Sequence, residues 1–144
     1  MAEQSALRFL GSWKLDPASS KYQQGDAPLS GTYAISAEGE TLVFDMAWQD
    51  ASGQDQTARF SGKPDGVAAP FPNTDLIDRI AIKAESNSEI AIAAYLGDEM
   101  LMRTSHILID EQTMRVVQTV YLPDGTSPSN RSVYYRRGPG EIPS

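Results

Sequence analysis

Residues 40–48 read ETLVFDMAW. Leu42, Phe44, Met46 and Trp48 occupy every second position, with Thr41, Val43, Asp45 and Ala47 between them. A repeat of two places the large apolar groups on one face of an extended chain, whereas a helix would scatter them around its circumference. The stretch therefore reads as a β-strand with one apolar face. The same period recurs in SEIAIAAYL (88–96), EMLMRTSHILID (99–110, read as a strand from Glu99 to Ile109), TMRVVQTVYL (113–122) and NRSVYYRR (130–137). Weaker versions are GTYAIS (31–36), QTARFSG (56–62) and LIDRIAIK (76–83). With the strand around Trp13 these make nine runs, about ten residues apart, which is the spacing of a sandwich or a barrel. Between them lie short turns such as SAEGE, QDASGQD, ESNSE, LGDE, DEQT and LPDGTSPSN, rich in Gly, Asp, Asn and Ser. Short turns joining successive strands imply antiparallel hairpins.

Helical signals are few. AEQSALRF (2–9) offers two turns before the first strand, and PASSKY (17–22) offers one. KPDGVAAPFPNTD (63–75) carries three prolines and reads as an irregular crossing or lid. A cone-shaped α+β fold of the nuclear-transport-factor type ranks second, because the three amphipathic helices it needs are not visible. The chain of 144 residues fits one domain, 1–144, with a core over 10–137 and a frayed tail at 138–144.

Composition narrows the function. Net charge is −7, which argues against a nucleic-acid partner and against an anionic membrane surface. The absence of cysteine excludes disulfides, thiolate catalysis and Cys-ligated metals. The start MAEQSALRFL has neither a basic segment nor an apolar core of a secretory signal, so the expected location is cytoplasmic. The expected state is monomer or homodimer, with edge-to-edge pairing if the sheet does not close.

The opening GSWKLDPASSKY (11–22) carries a resemblance. Gly11, Ser12 and Trp13 match the Gly-x-Trp of the calycin superfamily, the lipocalins and fatty-acid-binding-protein-like barrels. The whole stretch is similar to the GTWKLNPAKSKF-like start of uncharacterised bacterial lipocalin-like proteins, and Gly62, Lys63, Pro64 and Tyr134 to Arg137 match further parts of that group. The resemblance implies an all-β, antiparallel up-and-down β-barrel of about eight to ten strands with a short N-terminal helical turn. It implies that Trp13 plugs the closed end and that an Arg of the last strand lies across the indole. Arg131, Arg136 and Arg137 lie on or beside that strand, and Arg136 is the expected partner. It makes residues 16–31 a long first loop folded over the open end. From the fatty-acid-binding-like barrels it also brings an Arg and a Tyr that hold a carboxylate inside the cavity, loosely matched by Arg131 and Tyr135.

His106 is the one histidine. It shares a face with Met100, Met102, Thr104 and Leu108, so it is either a general acid/base or ligand contact in a cavity, or a histidine satisfied within the core. Candidate cavity residues are Tyr33, Phe44, Trp48, Phe60, Tyr95, Met102, His106, Gln118, Tyr121, Tyr135 and Arg131, with Met46, Met100 and Met114 supplying an adaptable wall. The alternative is a filled interior. No metal site or cofactor is expected: one His and no Cys leave only carboxylates, and no phosphate-cradling or dinucleotide glycine motif occurs. Three functions stay open. The first is binding of a small hydrophobic or aromatic molecule in the barrel. The second is a small cofactor-independent lyase, isomerase or decarboxylase using His106, with Tyr135 as a possible helper. The third is a structural protein with a full core.

Overall fold

The computed structural model describes residues 7–23, 25–70 and 77–137. A 3-10 turn, Leu7–Phe9, precedes strands β1 (Gly11–Tyr22), β2 (Ser30–Glu38), β3 (Thr41–Gln49), β4 (Asp55–Gly62), β5 (Ala69–Pro70), β6 (Arg79–Ser86), β7 (Glu89–Leu96), β8 (Glu99–Asp110), β9 (Thr113–Val120) and β10 (Ser129–Arg136). They form one antiparallel sheet in the order β4-β3-β2-β1-β10-β9-β8-β7-β6-β5. Consecutive strands pair throughout except β4 and β5, which stand at the two edges of the sheet, and β1 also pairs with β10, which brings the two ends of the meander together. Tight turns hold this up-and-down course. Glu38 pairs with Thr41 across a two-residue turn, and Gly39 sits there at a φ of 63°, a region that favours glycine.

The sheet curls into a nearly closed barrel. The seam lies between β4 and β6, where the isolated Asp65–Lys83 bridge and the Gly66 N–H donated to the Ile82 carbonyl at 2.8 Å tie the edges. At the same place Gly62 has no side chain, and a Cβ there would stand 3.1 Å from Ile82 Cδ1. Further along, the short β5 covers the edge of β6 through Ala69–Ile80 and Pro70–Arg79. This tenth strand falls inside the segment expected to be irregular; residues 71–76 of that segment lie outside the described residues. So do residues 1–6 and 138–144, which carry most of the expected N-terminal helix and the expected frayed tail. Among the described residues no helix is long and apolar enough to cross a membrane.

Two expectations for residues 16–31 are corrected. PASSKY forms no helical turn, and the first loop is shorter than expected, because β1 runs on to Tyr22. The strand continues through an irregularity: Asp16 pairs with Val133 and Lys21 with Arg131, so six residues of β1 oppose three of β10. Pro17 has no N–H to give the ladder. Ser19 fills the gap, its Oγ accepting the Val133 N–H at 2.8 Å and donating to the Asp16 carbonyl at 2.5 Å.

The core gathers at one end of the barrel. Phe9, Trp13, Phe44 and Met114 are fully buried there, with Ile35, Leu42 and Leu108 around them. Trp13 donates its indole N–H to the Phe9 carbonyl at 2.9 Å. Arg136 lies over the indole, Cζ 4.2 Å from the ring centroid, a cation–π contact. The same guanidinium donates to the carbonyls of Leu10 (2.6 Å), Arg8 (2.7 Å) and Glu111 (2.9 Å). Gly11 is required beside it. Its φ is +129°, and a Cβ there would stand 2.8 Å from Arg136 Nη1.

Candidate functional site

At the end away from Trp13 the barrel is hollow, with a cavity of about 350 Å³. Period-two alternation supplies the wall. Met46 and Trp48 come from β3, Phe60 from β4, Ile80 from β6, Ile92 and Ala94 from β7, Met102 and Thr104 from β8. Val116 and Gln118 of β9 and Ser132 and Tyr134 of β10 complete it, with Tyr22 and Tyr33 from β1 and β2. Asp26, Pro28, Asp50 and Ile77 stand at its mouth. Strand β8 shows how one strand serves both halves. From the mouth inward it presents Met102 and Thr104 to the cavity, then His106 and Leu108 to the packed core.

His106 forms the layer beneath the cavity. It is completely buried between Tyr33 (ring centroids 5.5 Å apart) and Phe44 (5.4 Å). Its Nδ1 lies 3.4 Å from the Ile90 carbonyl and its Nε2 lies 3.3 Å from the Tyr33 hydroxyl. A carbonyl only accepts, so Nδ1 carries the proton. Burial lowers the pKa to about 4, against a smaller opposing effect of the Ile90 carbonyl, so the ring is neutral and Nε2 accepts the Tyr33 O–H. Burial is also the main cause that raises the Tyr33 phenol, with Tyr134 and Tyr22 adding to it. Tyr134 is raised by burial and then by Tyr22, and its ring meets Tyr33 edge-on at 5.0 Å. The floor of the cavity is thus made of neutral phenols. Higher up, the Gln118 amide N–H donates to Met102 Sδ at 3.0 Å. Among the described residues that line the cavity there is no Lys, Arg or His, and no group of three His, Cys, Asp or Glu could hold a metal ion.

Of the residues singled out in the sequence, Tyr33, Trp48, Phe60, Met102 and Gln118 come together around the cavity. Phe44, stacked on Phe60 at 5.2 Å, belongs with His106 to the layer below. Tyr95 is half-buried and lies off the lining, since its neighbour Ala94 takes the inward position. Tyr135 and Arg131 are corrected: they face outward, because Ser132 and Tyr134 take the inward positions of β10. Tyr121 is also exposed, one residue beyond the end of β9. Of the methionines, Met46 and Met102 line the cavity, Met114 packs in the closed end and Met100 is exposed. Thr104, Ser132 and Tyr134 were missed. Thr104 was within reach of the alternation argument, being between Met102 and His106 on one face.

No family model and no curated protein matches the chain. Among solved structures, a redesigned β-barrel superposes with a TM-score of 0.56 at 12% identity, covering 93% of this chain and 96% of its own. A redesigned β-barrel bound to DFHBI gives 0.49 at 13% identity, over 92% and 98% of the two chains. Bovine odorant binding protein, complexed with its natural ligand, gives 0.47 at 9%, over 91% and 72%. The chain shares the fold of the first of these, a nearly closed antiparallel up-and-down β-barrel.

Proposed function

We propose that this protein binds a small hydrophobic or aromatic molecule inside its barrel. The observation that carries the reading is the cavity: about 350 Å³, walled by Met46, Trp48, Phe60, Ile80, Ile92, Met102 and Val116, with a few polar groups among them. A concave apolar wall with sparse polar groups is the usual form of a small-molecule site. The size points to a compact guest. An engineered apolar cavity of ~150 Å³ takes up benzene, so this one suits about two rings better than a long lipid chain. Turnover has less support. Among the described residues the lining holds no His, Lys or Cys, and His106 is neutral and separated from the cavity by Tyr33.

The test is native mass spectrometry of the protein after exposure to a pool of aromatic and aliphatic metabolites. One compound retained at one-to-one stoichiometry is expected, and it should be lost in Ala94→Phe, which fills the cavity from β7. Retention that survives this substitution in a folded variant would place the guest elsewhere. Consumption of a compound far beyond stoichiometry would make the protein an enzyme.

A further inference from the structure

We propose that the cavity selects a neutral aromatic ligand bearing an O–H or N–H donor and rejects the matching carboxylate. The inference rests on the cavity reading above and adds the chemical class of the guest. Three observations converge on it.

The first is charge. Among the described lining residues there is no cation, and Arg131, the residue that could have met a carboxylate, points outward. A carboxylate drawn into the barrel would give up its water and find only neutral donors, a loss that unpaired buried charges do not recover. The second is the mouth. Asp26 and Asp50 stand there, and the Asp50 carboxylate is held in place by Ser52, Gln54 and Gln56. An approaching anion meets like charge. The third is the direction of the hydrogen bonds already made. The Tyr33 proton is committed to His106 Nε2, and one of the two Gln118 N–H groups to Met102 Sδ. The Tyr33 oxygen keeps lone pairs to offer and has no proton left to give, so what it lacks is a donor, whereas Gln118 keeps a second N–H beside its carbonyl oxygen and can serve either way. The Tyr22, Thr104, Ser132 and Tyr134 hydroxyls can turn either way and do not bias the choice, and the Trp48 indole N–H, a donor only, suits the oxygen of the same hydroxyl ligand.

Three compounds of one shape separate these claims: 2-naphthol, 2-methylnaphthalene and 2-naphthoate, titrated into the protein at neutral pH by calorimetry. Naphthol should bind about tenfold more tightly than methylnaphthalene, the value of one net hydrogen bond. Naphthoate should be weaker than naphthol by roughly a hundredfold or more, as for an unpaired buried charge. Tyr33→Phe should bring naphthol down to the level of methylnaphthalene while leaving methylnaphthalene unchanged. Naphthoate binding as tightly as naphthol overturns the charge selection. Naphthol binding no better than methylnaphthalene overturns the acceptor assignment. Binding of none of the three removes the cavity reading itself, a different failure from either.

Discussion

Removing the Arg136 guanidinium should loosen the closed end of the barrel without touching the cavity. Arg136 makes three hydrogen bonds to backbone carbonyls, those of Leu10, Arg8 and Glu111, and one face-on contact with Trp13. Hydrogen bonds from a charged donor contribute about 1.5–3 kcal/mol each, and a cation–π contact about 0.5–2 kcal/mol. Side chain and carbonyls are partly wet, so water replaces some of what is lost. Arg136→Ala is therefore expected to cost about 3 kcal/mol, and Arg136→Lys, which keeps the charge but loses the planar fork, about 2 kcal/mol. With an unfolding entropy of about 2.1 cal/mol/K per residue, 3 kcal/mol lowers Tm by roughly 10 °C in a chain of this length. Calorimetric melting, with tryptophan fluorescence of a Trp48→Phe background followed in urea so that Trp13 alone reports, measures both. Gly11→Ala supplies the control, since its new Cβ would push on Nη1. Gly11→Ala should cost less in the Arg136→Ala background than alone, leaving only the backbone strain of a φ of +129°. A Tm within 2 °C or so of wild type for Arg136→Ala would refute the idea that this side chain holds the chain start against the last strand.

Other outcomes follow from the division between packed and hollow halves. Phe44→Ala, in the fully buried layer beneath the cavity, should cost about 3–5 kcal/mol in urea unfolding. Trp48→Ala, on the cavity wall, should cost about 1 kcal/mol and act mainly on ligand affinity; comparable losses for the two would mean that the interior is full. His106 gives stability a pH dependence of known sign. Its folded pKa of about 4 lies below the ordinary value of 6.5, so the unfolded chain takes up the proton first. Its contribution is fully present above pH 6.5 and is lost as pH falls through the window to about 4, amounting to roughly 3 kcal/mol over the whole interval. Urea midpoints at pH 7 and pH 5 should show it, and His106→Gln should flatten the slope; an unchanged slope assigns the effect to another group.

Much of this architecture could be read from alternation alone. Leu42, Phe44, Met46 and Trp48 were assigned to one face, and that face supplies core at one end and cavity at the other. Periodicity tells which residues share a face, but not which face is inside. In β10 the adjacent Tyr134 and Tyr135 are equally apolar, and nothing local chooses which of them points inward. The choice is made by the register with β1 and β9, which sets Tyr134 opposite Leu15 and Met114. Depth along the strand was hidden for the same reason. His106 and Thr104 share a face, but only the closure of the barrel puts one under the floor and the other on the wall. The continuation of β1 past Pro17 depends on Ser19 meeting Val133, a partner 114 residues away.

The layer of Tyr33, Phe44 and His106 separates two jobs along a single set of strands. Below it, side chains are locked to one another and to the chain start through Trp13 and Arg136. Above it, they face open space. Substitutions at Trp48, Met102, Thr104 or Gln118 are therefore expected to reshape the cavity while the lower half keeps the barrel standing. The molecule is in this sense a cup with a solid base, whose contents can be redesigned without redesigning the cup.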